Sequence, residues 1–297
     1  MSTRRRQARA GWGFAAPFLI LFAAFFLVPI GYALYQSLFR IERTGPLGLT
    51  GQKQVFTWFD NYAAALSEPD FLDSLLRMLA FAAIQVPLMV LLALTLALLL
   101  ESASARGVPF FRTSFFLPYG VPGVIASILW GFLYVPGISP IVGILEKFGL
   151  QVDLLGTDMI LLSIMNIVTW EFAGYNMLVL VAHLKSISPS LYESARVDGA
   201  NAWRIVWHIK LPLARPAIVM VSVFSIVGTL QLFSEPLVLK PIASAVSFTY
   251  TPNLAAYNEA FNENNYQLAA AEAVLLALVA MVLSFGFLRI LGGGRQK

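Results

Sequence analysis

The run from Leu75 to Leu100, LLRMLAFAAIQVPLMVLLALTLALLL, has a single charged residue, Arg77, near its start. About 20 predominantly apolar residues in a helix cross the hydrocarbon core of a bilayer, so this run reads as a membrane span. Working outward from it, five further stretches qualify: Phe14 to Phe39, Phe115 to Val135, Met159 to Ala182, Ala217 to Leu237 and Leu268 to Leu291. The composition agrees, with 58% apolar and 12% charged residues against roughly 25% charged in an ordinary soluble domain. The expectation is an all-α integral membrane protein with six transmembrane helices, a single domain over residues 1–297 without an internal repeat.

Arg4, Arg5, Arg6 and Arg9 precede the first span as they would a signal peptide. Its apolar run exceeds the roughly 7–15 residues of a signal core and no clear cleavage site follows, so it reads as a retained helix. The absence of cysteine excludes disulfides, thiolate metal sites and thiol nucleophiles, and two histidines, His183 and His208, are too few for a His-based metal cluster. No metal site is expected. The formal charge of +4 comes from basic residues scattered at the ends of apolar runs. That pattern speaks for membrane topology, not for nucleic acid.

Positively charged loops are held on the cytoplasmic side. With the N-terminus inside, Arg4, Arg5, Arg6, Arg9, Arg106, Arg112, Lys185, Arg196, Arg204, Lys210, Arg215, Arg289, Arg295 and Lys297 fall in or beside the cytoplasm. Only Arg40, Arg43, Lys53, Arg77, Lys147 and Lys240 fall outside. Fourteen against six places both termini inside and makes the loop over residues 183–216 cytoplasmic. Glu259 and Glu263 then face outward, as do the amphipathic stretch Pro140 to Leu150 and the polar, aromatic segment Ala243 to Gln267.

Leu117-Pro118-Tyr119-Gly120-Val121-Pro122-Gly123 interrupts the third span. Helical hydrogen bonds lost within a bilayer must be replaced by protein or water. Two readings stay open: a bend where that span begins, or a moving hinge.

The loop before the fifth span has a readable local structure. Ser190-Leu191-Tyr192-Glu193 fits a capping box, in which serine caps a helix start and glutamate bonds back, and Gly199 suits the left-handed residue at a helix end. A second short helix can start near Asn201, carry Trp203, Val206 and Trp207 on one side, and break at Lys210-Leu211-Pro212. Helices this short are marginal alone in water and need a partner surface. An ordinary amphipathic connector would also explain Ser190, Glu193 and Gly199 one at a time.

Taken together, Glu193-Ser194-Ala195, Asp198-Gly199-Ala200 and Ile209-Lys210-Leu211-Pro212 resemble the cytoplasmic signature of permease subunits of binding-protein-dependent ABC importers. That signature is a Glu-Ala-Ala triplet, a glycine four residues on, and Ile-x-Leu-Pro. Pro29-Ile30-Gly31-Tyr32, Ser37-Leu38-Phe39, Phe111-Arg112, Leu117-Pro118, Pro122 and Trp130 extend the resemblance along nearly the whole chain. The likeness is to the carbohydrate-uptake class, in particular the first permease of maltose and glycerol-phosphate importers. Three departures stand out: Ser194 replaces the middle alanine, Arg77-Met78 stands where the family often has Asn-Thr, and Gly-Gly-Pro is missing after Glu235-Pro236.

The resemblance implies that the 191–212 loop docks in a cleft of a separate ATPase. Glu193 would bond ATPase donors, Ser194 and Ala195 would allow close approach, Gly199 would make the turn with Asp198 beside it, and Ile209, Leu211 and Pro212 would lead into the next span. It implies a second homologous permease, two ATPase subunits and an extracytoplasmic solute-binding protein as partners, with membrane lipid around them, in a bacterial or archaeal plasma membrane. No cofactor is expected on this chain, because it has no Gly-x-x-x-x-Gly-Lys-Ser/Thr phosphate loop. ATP and Mg belong to the partner ATPase, so the chain is expected to be no enzyme itself.

An ionisable residue inside a span is by default functional, and Glu171 is the main one here. Tyr175 follows at i+4 on the same face, beside Trp170 and Asn176, and Gln231, Ser234 and Glu235 share a face of the fifth span by the same spacing. Aromatic planes with amide and carboxylate acceptors suit a sugar, so these residues and Trp130 are candidates for the path. Trp130, Trp170 and Tyr134 could instead pack the bundle or form an interfacial belt, and Gln231 and Asn176 could bond neighbouring helices. Arg77 is expected to pair with Asp73 at i,i+4.

The reading is a permease subunit of an ATP-driven importer of a sugar, an oligosaccharide or a polyol phosphate. One rival is an ion-coupled secondary transporter working through Glu171, disfavoured by the lack of a repeat. Another is an intramembrane enzyme, disfavoured because no His, Cys or paired-carboxylate constellation converges at one depth. A homodimer of permeases remains open beside the heterodimer.

Overall fold

A computed structural model describes residues 3–44, 51–102 and 105–292. Arg295 and Lys297 lie outside the described residues, as do the side chains of Arg4, Arg5, Arg6, Arg9 and Arg43. Helix α1 (Thr3–Phe22) passes through a π-helical turn (Ala23–Leu27) into α2 (Val28–Ser37). Strands β1 (Phe39–Thr44) and β2 (Gly51–Phe56) pair antiparallel, Phe39 opposite Phe56. There follow α3 (Asp60–Ser67), α4 (Pro69–Leu100), α5 (Val108–Phe116), a 3-10 turn (Leu117–Gly120), α6 (Gly123–Tyr134), α7 (Pro140–Lys147) and α8 (Ile160–Lys185). Then come α9 (Pro189–Val197), α10 (Ala202–Ile205), a second π turn (Val206–Lys210), α11 (Leu211–Leu230), α12 (Ser234–Leu239), α13 (Pro252–Phe261), α14 (Tyr266–Phe287) and a last π turn (Leu288–Gly292).

Five stretches are long and apolar enough to cross a membrane: Gly11–Ser37, Pro69–Leu100, Ile160–Lys185, Ala202–Leu239 and Tyr266–Ile290. Val108–Gly120 and Gly123–Tyr134 meet the same test only when taken together, as a pair bent by 98° at Val121 and Pro122, so the count is five, or six with that pair as one broken span. The break follows from Pro122, which has no N–H to donate and biases Val121 away from the helical region; Val121 has φ −87° and ψ 125°.

Several expected boundaries move. The first span stops at Ser37 and not at Phe39, because Phe39 opens a strand in which apolar Phe39 and Ile41 alternate with charged Arg40 and Glu42. The described fold is therefore mostly, not wholly, helical. The second span starts at Pro69, where proline at the first helical position and Asp70 in the first turn favour a helix start. Pro212 does not break the chain's path. Leu211 N donates to Val206 O, an i to i+5 bond that widens the turn just before the proline, whose ring would otherwise crowd the carbonyl four residues back. The same device precedes Pro29, where Val28 N donates to Ala23 O.

The chain divides into two compact units. The first comprises residues 1–72 and 255–275. There Asn61 Nδ2 donates to Ser37 O at 2.8 Å and to Phe39 O at 2.7 Å, and Ser37 Oγ and the Tyr62 hydroxyl are 2.6 Å apart. These bonds fix the hairpin's root against α3. Ala65, Phe71, Ala255 and Leu268 form its small core. The second unit, residues 73–254 and 276–297, is built around α8. One side of α8 packs with Met78, Phe81, Ala126, Leu230 and Leu239; further along, Met177, Leu180 and Leu184 pack with Val90, Ala97, Ala214 and Val221. Gly174 lets α8 touch backbone: a Cβ there would lie 1.8 Å from Phe115 O. Small residues at such contacts are how membrane helices approach closely.

Candidate functional site

The loop between α8 and α11 is the first candidate. α9 begins two residues earlier than a Ser190 cap allows: Ser188 is the N-cap, with no side-chain cap bond, and Ser190 Oγ instead meets Ser188 Oγ at 2.8 Å. The capping box is thus not formed, because Pro189 occupies the first helical position and moves the start forward. Its C-terminus behaves as the sequence demands. Ala200 N donates to Ala195 O at 2.8 Å and Gly199 N to Arg196 O at 3.0 Å, the two bonds of a Schellman motif, with Gly199 at φ +79°. α10 starts where expected, Arg204 N donating to Asn201 Oδ1 at 2.9 Å.

What distinguishes the loop is its uncovered apolar surface. Leu191, Val197, Trp203 and Trp207 are exposed, Val197 by 88% and Trp203 by 70%. Glu193, Ser194, Asp198 and Gly199 are exposed, while Ala195, Ile209 and Lys210 are half-buried. Leu211 and Pro212 begin α11. Tyr192 turns inward: its hydroxyl is buried without a hydrogen-bond partner among the described residues. Burial first, and the Glu101 charge second, raise its pKa above the usual phenol value.

The second candidate lies in the middle of the second unit. Glu171 of α8 is 6% exposed and Glu235 of α12 is 8% exposed. They converge on the first residue of α6, since a Cβ at Gly123 would stand 3.3 Å from Glu171 Oε1 and 3.6 Å from Glu235 Oε1. Glu171 Oε2 has no hydrogen-bond partner among the described residues. The restarts of two broken helices therefore bring two buried carboxylates together, a pairing that no spacing in the sequence predicts and that corrects the expectation of no converging carboxylates. One turn on, Tyr175 stacks on Tyr119 at 4.7 Å between ring centroids, and the residue remains 37% exposed.

Other candidates are placed differently from expectation. Gln231 ends α11 outside any helix shared with Ser234 and Glu235, so the face expected of the three does not exist: the helix stops at Leu230 and restarts at Ser234. Asn176 is buried, its Nδ2 2.9 Å from Met89 Sδ and 3.4 Å from Ser225 Oγ, which ties three helices together. Trp130 packs edge-on to Trp170 at 5.8 Å and beside Tyr134; Tyr134 donates to Ser163 O and accepts from Asn166 Nδ2. Arg77 makes no ion pair with Asp73 among the described residues. It donates to Tyr250 O at 2.8 Å and lies over the Tyr250 ring, because a carbonyl and a ring face hold a guanidinium better than an exposed i,i+4 carboxylate does. Ala243, Val246, Tyr250 and Leu254 are buried, so the segment expected as an exposed outer surface is partly core. Among the described residues no cluster suited to a metal ion occurs.

The family model described as binding-protein-dependent transport system inner membrane component matches residues 62–295. The sn-glycerol-3-phosphate transport system permease protein UgpA of Rhizobium meliloti is 33% identical over 281 residues, covering 92% of this chain and 91% of that protein. The lactose transport system permease protein LacF of Rhizobium radiobacter is 31% identical over 294 residues, covering 96% and 94%. In fold, the chain matches one from the crystal structure of a bacterial ABC transporter involved in alginate import, with a TM-score of 0.81 at 21% identity over 99% of this chain and 100% of that one.

Proposed function

This chain belongs to the family of binding-protein-dependent transport system inner membrane components, and we propose that it is the permease subunit of an ATP-driven importer. Its substrate is a sugar, an oligosaccharide or a related polyol phosphate, the class to which the names of its relatives point. It works in the plasma membrane of a bacterium with both termini in the cytoplasm, beside a second permease, two ATPase subunits and an extracytoplasmic solute-binding protein. ATP and Mg bind the ATPase subunits. The observation that carries this reading is the 191–212 loop: a Schellman-closed helix between two spans, polar enough to leave the bilayer, with apolar Leu191 and Val197 exposed.

In this reading α9 seats in a cleft of the ATPase, Glu193 accepting charge-assisted bonds there. Closure of the ATPase pair pulls on the loop, and the permeases rock to open the cavity outward. Tyr175 and Glu171 line the path, with the bent third span beside them. Mass spectrometry of the complex gently extracted from its native membrane tests the proposal. The expected result is stoichiometric ATPase and a second permease; reproducible recovery without any ATPase, where a known importer stays whole, overturns it. The meeting of Glu171 and Glu235 inside the bilayer favours one second reading, an ion-coupled transporter. Uptake that persists without ATP and collapses when the membrane is made proton-leaky would establish that reading instead.

A further inference from the structure

One residue ties the coupling loop to three spans. Glu101 follows the last residue of α4, and its side chain is only 19% exposed. Arg112 of α5 brings Nη2 to 3.5 Å from Glu101 Oε1, and Lys185, the last residue of α8, brings Nζ to 4.0 Å from the same oxygen. Lys210 closes the π turn at the exit of the loop. Its Nζ donates to the Glu101 carbonyl at 3.1 Å across 109 residues of sequence, and it stands 5.6 Å above the Tyr192 ring of α9.

A carboxylate at a helix C-terminus opposes the helix dipole, so Glu101 does nothing for α4 by itself. The cations that offset it come from three other elements, one of them the loop. Arg112 Nε and Nη2 are buried without a hydrogen-bond partner among the described residues, which leaves the charge of Glu101 as the compensation at hand. Lys210 satisfies one of the carbonyls that a helix end leaves open. Second, third and fourth spans therefore meet the loop at one small ionic centre, where a displacement of Lys210 or Tyr192 is felt by all three.

We propose that Glu101 is a positioning residue that transmits movement of the 191–212 loop to the second, third and fourth spans. Its carboxylate acts on Arg112 and Lys185 while its main-chain carbonyl holds Lys210, and it touches neither substrate nor nucleotide. The inference rests on the ATP-driven importer reading above.

The chain's lack of cysteine makes the test direct. In the assembled transporter in proteoliposomes, one single-cysteine form carries Ser190→Cys in the loop and another Gly120→Cys at the bend of the third span, where added side-chain atoms meet open space. Labelling by a water-soluble maleimide is measured with and without ATP and Mg, alongside ATP hydrolysis. Wild-type labelling at both positions is expected to respond to ATP. In Glu101→Gln the loop still responds and ATP is still hydrolysed, while the response at the bend falls by about tenfold, as expected for losing a charge-assisted contact. Glu101→Asp restores part of it, and Lys185→Gln, at a half-exposed position, gives a smaller loss.

An unchanged response at the bend in Glu101→Gln overturns the proposal. So does loss of the loop response, or failure of that variant to assemble while Lys185→Gln behaves as wild type; either outcome makes Glu101 a structural support. If the importer reading itself is wrong, the wild-type reporters ignore ATP, which separates the two failures.

Discussion

The first span and α8 are both long apolar helices, yet their fates are opposite. The core window of Gly11–Ser37 is the more apolar and 0% of it is buried by the rest of the chain, whereas that of Ile160–Lys185 is the less apolar and 61% buried. In a soluble protein the ranking would be reversed. Here lipid is the apolar solvent, so a helix whose side-chain amide and hydroxyl groups, on Tyr32, Tyr35, Gln36 and Ser37, gather at its end can stay uncovered, and the helix carrying Ser163, Glu171 and Asn176 along its length must be covered. Hydropathy in this chain reports contact with lipid, and departures from it mark the interior.

That contrast can be broken at four positions. Gly174→Ala in α8 is expected to have the largest effect: a methyl group driven into the Phe115 carbonyl should cost about 3 kcal/mol, the upper end of overpacking. Thermal unfolding of the purified chain in detergent measures it, and an unchanged midpoint would mean that α5 and α8 are not in contact. Glu193→Ala should leave that midpoint alone, since Glu193 is exposed, and weaken capture of the ATPase by roughly tenfold to a hundredfold through loss of charge-assisted bonds. A titration of ATPase subunit against the tagged permease checks it; equal affinity would remove Glu193 from the docking surface.

Gly199→Ala combines the two kinds of effect more weakly. Its φ of +79° makes a side chain strained by roughly 1–2 kcal/mol, which frays the end of α9 and loosens docking without touching the interior. Hydrogen exchange at the Ala200 amide, bonded to Ala195 O, should quicken about tenfold. The smallest effect belongs to the first span: Phe18→Leu, at a position 69% exposed, should shift the stability of the isolated chain by no more than about 0.5 kcal/mol. A larger loss there would show that this span packs on its own chain after all.

Six apolar stretches were legible because about 20 apolar residues in a row have few other uses, and the end of α9 because a left-handed turn asks for glycine. The beginning of α9 was misread because serine caps and proline starts compete within three residues. Pro212 was misread as a break because a local rule cannot see a π turn absorbing it. Asn176 and Trp130, singled out as candidates for the path, are held in helix packing, and Gly174, Gly123 and Glu101 gave no periodic signal at all. Most of their partners are far off in the chain: Phe115 for Gly174, Glu171 and Glu235 for Gly123, and Lys185 and Lys210 for Glu101.

By itself the sequence determined that this protein lives in a membrane, where its apolar stretches lie, and that one polar loop between two spans is built of short helices with a glycine at the end of the first. Those properties follow from local composition, from backbone conformation and from the cost of burying peptide groups in lipid. Only the tertiary structure decided which faces are covered. It brought Glu171 and Glu235 to the restart of a bent helix, and it gathered the ends of three spans and the loop around Glu101. The reason is physical: in lipid, apolar surface gains little by being buried, so helix partners are chosen by close backbone approach and by polar groups needing one another, and both are long-range in sequence.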